Sequence, residues 1–194
     1  MKRKKSPWST LGLASSFVVA SSVGAISVIA LRKNNLTMLE LRDAVLKADE
    51  TGEGVQDALL ALQTHVATHM NSNPPKLGNE PAIQLKASYD RAKKAETDRI
   101  SQERVKIGEQ AMVYCEEAYA KDRLSVRANC IIDYSASKVV VERQIVADLY
   151  RYDYSSPRWT PDLAGWTLIV SLIFAGLFII QLLARIIATL IIKK

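Results

Sequence analysis

Two uncharged, proline-free apolar runs, residues 11–31 and 163–184, enclose a charged stretch at residues 32–162, and any fold of this chain has to accommodate both. An α-helix crosses a hydrocarbon core in about 20 residues, so each run reads as a membrane span. A cleaved signal peptide is the alternative for the first. Lys2, Arg3, Lys4 and Lys5 make a basic leader, and the small residues Ala20, Ser21, Ser22, Gly24 and Ala25 follow. The run is nevertheless longer than the roughly 7–15 residues of a signal-peptide core, and no A-x-A site precedes Arg32. A retained span is expected.

Orientation follows from charge. The four basic residues before the first span, and Arg185, Lys193 and Lys194 at the other end, stand without any acidic residue, while residues 32–162 hold the other 19 basic and all 20 acidic residues. The positive-inside rule then places both termini in the cytoplasm of a plasma (inner) membrane, multi-pass, with residues 32–162 outside. Arg32 and Lys33 are a mild counter-signal, outvoted by the N-terminal cluster. The sequence pI of 9.3 does not point to nucleic acid, because the excess positive charge sits in flanks that meet the lipid bilayer.

The expected organisation is a basic cytoplasmic segment at residues 1–10, a span at 11–31, a helical extracytoplasmic domain at 32–162, a span at 163–184 and a basic cytoplasmic end at 185–194. The fold class is all-α: two transmembrane helices flanking an elongated extracytoplasmic helical bundle. Within the bundle, Met38, Leu41, Val45 and Ala48 recur at helical spacing over residues 36–49, with no Gly or Pro between them and Leu31, so the first span is expected to run on to Gly52. Gly52 suits a left-handed cap. Residues 55–70 carry Val55, Leu59, Leu62, Val66 and His69 along one seam, which predicts a helical hairpin. Pro74, Pro75, Gly78 and Pro81 break the chain before a long helix over 82–120. The middle of that helix pairs charges at helical spacing, Lys94 with Asp98 and Arg99 with Glu103, as a solvated face or a docking surface does. A last helix over 131–152 is expected to bury Tyr134, Val141, Ile145 and Leu149, although Val139–Val141 also suits a strand.

Cys115 and Cys130 are the only cysteines and both fall in the part expected to be outside, where a disulfide closing their loop is worth ~3 kcal/mol. Buried free thiols are the alternative if the topology is inverted. Beyond the bundle, Pro157 and Pro161 interrupt any helix leading into the second span, which is expected to decouple it from the domain. Trp159, Trp166 and Arg185 are expected as interfacial anchors.

One constellation resembles a chemical site. His65 and His69, the only histidines, stand at i and i+4, a spacing that lets two imidazoles reach one Zn or Cu ion. Val66 occupies the place where a zincin needs Glu, so metalloprotease chemistry is excluded on this motif. The competing reading puts both rings at the edge of the core, with no cofactor. No phosphate-cradling Gly loop and no GxSxG elbow appears, and a non-enzymatic protein is expected.

The phrases Leu41-Arg42-Asp43-Ala44-Val45, Ala61-Leu62-Gln63-Thr64-His65-Val66 and His69-Met70-Asn71, then Ile83-Gln84-Leu85-Lys86 and Tyr114-Cys115-Glu116, resemble uncharacterised small two-span bacterial membrane proteins with a helical ectodomain, from reduced genomes. The resemblance covers much of the domain and implies an inner-membrane location without supplying an activity. In topology the chain is also similar to the sensory half of a chemoreceptor, with too few residues after Ala184 for an output domain. The leading expectation is a membrane-anchored envelope protein whose helical domain mediates protein–protein interaction or assembly, its partner an unknown membrane or surface protein or a further copy in a homo-oligomer. The small pairs Gly12/Ser16 and Ala20/Gly24 favour self-association. The alternatives are a ligand- or metal-binding sensor lacking its own output domain, and an oligomeric two-span channel with Gln181 as the one amide of its second span.

Overall fold

The structure is a computed structural model and describes residues 8–76 and 78–192. The cations that set the expected orientation, Lys2, Arg3, Lys4, Lys5, Lys193 and Lys194, lie outside the described residues. The described chain is mostly helical: α1 (Trp8–Thr51), α2 (Val55–Thr68), α3 (Lys86–Ala118), α4 (Leu124–Ser137) and α5 (Leu163–Ile192), with a 3-10 turn at Ala147–Tyr150. The short strands β1 (Ile83–Gln84) and β2 (Arg151–Tyr152) pair as a two-stranded sheet. Helices α1 and α5 are both long and apolar enough to cross a membrane. The chain divides into two compact units, Met1–Ile83 with Tyr152–Lys194, and Gln84–Arg151.

In the first unit, α1 runs unbroken for 44 residues because no proline interrupts it and because one buried stripe serves its whole length. Ser16, Ser27, Met38 and Asp49 are buried at intervals of 11 residues, and Asn34 and Val45 share the same interval. An 11-residue repeat corresponds to about 3.67 residues per turn, close to the relaxed helix, so the stripe drifts only slowly around α1.

Two helices share that stripe. Helix α5 covers its N-terminal part in an antiparallel arrangement: Phe17 meets Phe178 with ring centroids 5.4 Å apart, Ser171 Oγ donates to the Ala20 carbonyl at 3.0 Å, and Ser27 Oγ donates to the Ala164 carbonyl at 3.4 Å. Helix α2 covers the C-terminal part and buries Leu59, Leu62 and Val66. The reversal between α1 and α2 requires left-handed backbone, which Gly52 (φ 82°) and Gly54 (φ 67°) supply without a Cβ clash. The chain leaves the end of α2 at Met70 and returns at Thr160, whose Oγ1 accepts the Met70 N–H at 3.0 Å. Between these points the outgoing and returning segments stay together, with the Ser156 N–H bonded to Asn73 Oδ1 at 2.6 Å and Lys76 paired with Asp153.

The small residues of α1 are taken up inside the chain. A Cβ on Gly24 would come within 3.0 Å of Ser171 Oγ, and one on Gly12 within 3.8 Å of Gln181 Oε1, while Gln181 Nε2 reaches Ser16 Oγ at 3.4 Å. That stripe therefore packs against α5 of the same molecule and lends no support to self-association. Helix α5 also continues past Ala184 to Ile192, so Arg185 lies within it, half-buried.

In the second unit α3 packs against α4, and the Cα atoms of Cys115 and Cys130 stand 5.9 Å apart, at disulfide distance. The helix expected over residues 131–152 is displaced. Helix α4 begins at Leu124, so Cys130 sits in its middle, and it ends at Ser137. Residues 138–146 are non-helical, and Lys138 and Val146 have extended dihedral angles. Three consecutive valines, Val139 to Val141, are stiff at χ1 and fit extended backbone better than helix. Contacts from α3 then take the place of helical hydrogen bonds: Arg99 Nη2 donates to the Val141 carbonyl at 2.8 Å, and the Arg143 N–H donates to Glu96 Oε1 at 2.7 Å. Val141 and Leu149, expected in the core, are exposed.

Candidate functional site

The most completely built polar cluster lies where the C-terminal end of α2 and the N-terminal end of α5 meet on the side of α1. Asn34, one turn beyond Ala30 on the buried stripe, is its centre. Its Nδ2 donates to Asp162 Oδ2 at 2.8 Å and to the Met70 carbonyl at 3.2 Å, and its backbone carbonyl accepts from His65 Nε2 at 2.9 Å. Asp162 is the residue before α5. Its Oδ1 accepts the Gly165 N–H at 2.9 Å and the Thr160 hydroxyl at 3.0 Å, which is side-chain capping of a helix N-terminus. Thr160 in turn receives the Met70 N–H. Beneath these bonds Ala30, Met70 and Ala164 form a buried apolar floor, joined by Leu31 and Leu168.

Close packing depends on one glycine. A Cβ at Gly165 would stand 1.9 Å from the Thr160 carbonyl oxygen and 2.9 Å from Trp159 Nε1, so only glycine lets the preceding loop lie on the first turn of α5. The loop carrying Pro157 and Pro161 is thus not a decoupling link. Through Asp162 it is bonded to α1, and through Thr160 to Met70, two residues past the end of α2. Trp159 and Trp166 flank it, edge to face, with ring centroids 5.7 Å apart.

Burial alone would push the Asp162 carboxyl up. The Gly165 N–H, the Asn34 amide, the Thr160 hydroxyl and the nearby His69 outweigh it and hold the group below its ordinary range. With both oxygens engaged, this carboxylate is committed to holding helix ends and is poorly placed to move a proton.

His65 and His69 are brought together, with ring centroids 4.3 Å apart and planes 19° apart. A carbonyl oxygen only accepts, so His65 Nε2 carries the hydrogen given to Asn34, and His69 Nδ1 the one given to the His65 carbonyl at 3.1 Å. The remaining lone pairs, on His65 Nδ1 and His69 Nε2, lie in nearly parallel ring planes. They do not converge on one point, and a shared Zn or Cu ion requires one ring to turn out of the stack.

A second cluster lies in the other unit. Glu96 is 8 % exposed and is gripped by Arg99 through both oxygens, at 2.9 and 2.6 Å, and by the Arg143 N–H. The Arg99 hydrogen bonds, then the Arg143 N–H, lower its carboxyl to about 2. Arg99, expected to pair with Glu103, takes Glu96 as its bidentate partner.

Sequence reasoning missed Asn34, Thr160, Asp162 and Glu96. Asp162 did carry a local signal, an acidic residue just before an apolar helix, and Asn34 stands at helical spacing from Ser27 and Met38. The chain matches no protein-family model, and no curated protein or solved structure is detectably similar to it.

Proposed function

We propose that this is a non-enzymatic, membrane-anchored envelope protein, held in the inner membrane by α1 and α5 with both termini in the cytoplasm, whose domain outside mediates interaction with another protein or assembly. One observation supports this above the others. The unit Gln84–Arg151 is too charged to lie in lipid, yet its buried apolar side chains are only Leu85, Ala111 and Cys115. Val105, Met112 and Val113 on α3, and Leu124 and Ile132 on α4, remain exposed. Isolated exposed apolar residues are ordinary, but this many on a unit with so small a core mark a surface that a partner covers.

Orientation is tested with cysteine variants Asn79→Cys and Thr189→Cys in intact cells and a membrane-impermeant maleimide. The reading requires labelling of Asn79→Cys alone; labelling of Thr189→Cys alone overturns it.

The sensor reading has one observation in its favour, since Asn34 of α1 bonds both Met70, just past the end of α2, and Asp162, just before α5. A ligand that altered the end of α2 would be felt by both apolar helices. An unchanged melting temperature in the presence of zinc, identical for wild type and a His65/His69 double alanine variant, removes its metal form.

A further inference from the structure

Residues 138–146 are non-helical, with extended dihedral angles at Lys138 and Val146, and the middle of the segment is held by α3. In extended chain the backbone groups of alternate residues point the same way. The Val141 carbonyl and the Arg143 N–H both face α3, where Arg99 and Glu96 bind them. Val140 and Glu142 therefore direct their backbone groups to the opposite side. Among the described residues neither has a backbone hydrogen-bond partner, and Lys138 uses only its N–H, bonded to the Ser135 carbonyl at 3.3 Å. The segment presents a free strand edge, with Val139 83 % and Val141 72 % exposed beside it. A backbone edge of this kind is completed by another extended strand.

The side chains say which strand. Lys138-Val139-Val140-Val141-Glu142 is its own antiparallel complement. Placed against a second copy about Val140, it sets Lys138 opposite Glu142 and Glu142 opposite Lys138, with Val139 facing Val141 on both sides. The parity also fits, because Val140 and Glu142 turn their backbone groups away from α3 and Lys138 keeps its carbonyl unused while its N–H is bonded to Ser135. Val140 exchanges two N–H···O bonds with its counterpart, and each Glu142 N–H reaches the unused carbonyl of the opposing Lys138. Opposite charges and β-branched residues directly across from one another are the pairs that stabilise antiparallel strands, and a two-fold axis repeats each of them.

We infer that residues 138–142 are a self-association site, at which a second copy of this chain pairs antiparallel through the same five residues. The inference rests on the reading of the chain as an interaction protein and names its partner.

The test uses the full chain in mild detergent, with its mass followed by native mass spectrometry and sedimentation over a concentration series. Wild type is expected to dimerise. Lys138→Glu and Glu142→Lys each place like charges opposite one another twice, and each is expected to weaken the dimer about tenfold or more. Mixing these two variants makes every cross-strand pair opposite again, so a heterodimer of near wild-type affinity is expected, as is a dimer of the doubly swapped chain. Val140→Pro removes the central donor and is expected to abolish pairing. A wild-type monomer, a dimer indifferent to either charge reversal, or single variants that stay monomeric when mixed each overturns the inference. A monomeric wild type that still crosslinks through Ile132 to another protein overturns the self-pairing alone and leaves the interaction reading standing.

Discussion

Asn34 and Asp162, separated by 128 positions in sequence, meet through a 2.8 Å hydrogen bond that fixes the first turn of α5 to the middle of α1. The same asparagine holds the last carbonyl after α2, so a single side chain sets the register of three helices. This bond is where the two apolar helices and the α1–α2 hairpin become one unit.

Removing Asp162 therefore reaches further than losing a cap. Asp162→Ala takes away the acceptor for Gly165, Thr160 and Asn34 together and is expected to destabilise by ~1–3 kcal/mol. Asp162→Asn keeps one acceptor oxygen and costs less. Thermal unfolding in detergent, followed by circular dichroism, reads both; equal stability of Asp162→Ala and wild type contradicts the role assigned to the cluster.

Two glycines of α5 separate close packing from mere composition. Gly165→Ala drives a methyl group into the Thr160 carbonyl and is expected to cost about 1–3 kcal/mol, whereas Gly176 has open space around its Cα and Gly176→Ala is expected to be neutral or slightly stabilising. The comparison of their melting temperatures is the check, and a larger loss at Gly176 refutes the geometry.

How much of this was legible varies with the range of the cause. The continuity of α1 and the reversal at Gly52 follow from local features, the lack of proline and the need for positive φ, and could be read in advance. The end of α4 could not. The run Val139–Val141 favours extended chain while the spacing of Tyr134, Val141, Ile145 and Leu149 favours a helix, and the choice falls to Glu96 and Arg99, more than 40 positions away. For Asn34 the difficulty is the same. Its residue type marks it as unusual on a buried stripe, but nothing near it in sequence names Asp162 as its partner.

Acid should release the non-helical segment that follows α4. The folded Glu96 carboxyl is lowered from 4.5 to about 2, so its contribution is complete above pH 4.5 and is lost as pH falls through about 2. The Arg143 amide resonance, which reports the hydrogen bond directly, is expected to titrate with a midpoint near 2 and to lose that titration in Glu96→Gln. A midpoint at 4.5 shows that the Arg99 grip is not made in solution.

Helix α4 buries no side chain of its own, so its order should depend on the link between Cys115 and Cys130. Closing a loop over 15 positions is worth ~3 kcal/mol in chain entropy. Hydrogen exchange is expected to show residues 124–137 protected when oxidised and largely unprotected in the double serine variant. Undiminished protection contradicts this dependence.

The central claim, that the apolar surface of the second unit is an interface, is tested most directly by site-specific photo-crosslinking in intact cells. A photoreactive residue replacing Ile132, which is 64 % exposed on α4, is compared with one replacing the exposed polar Gln102 on α3. A discrete crosslinked product of one defined mass is expected from position 132, and little or none from position 102. No product at 132, or the same diffuse background from both positions, contradicts it.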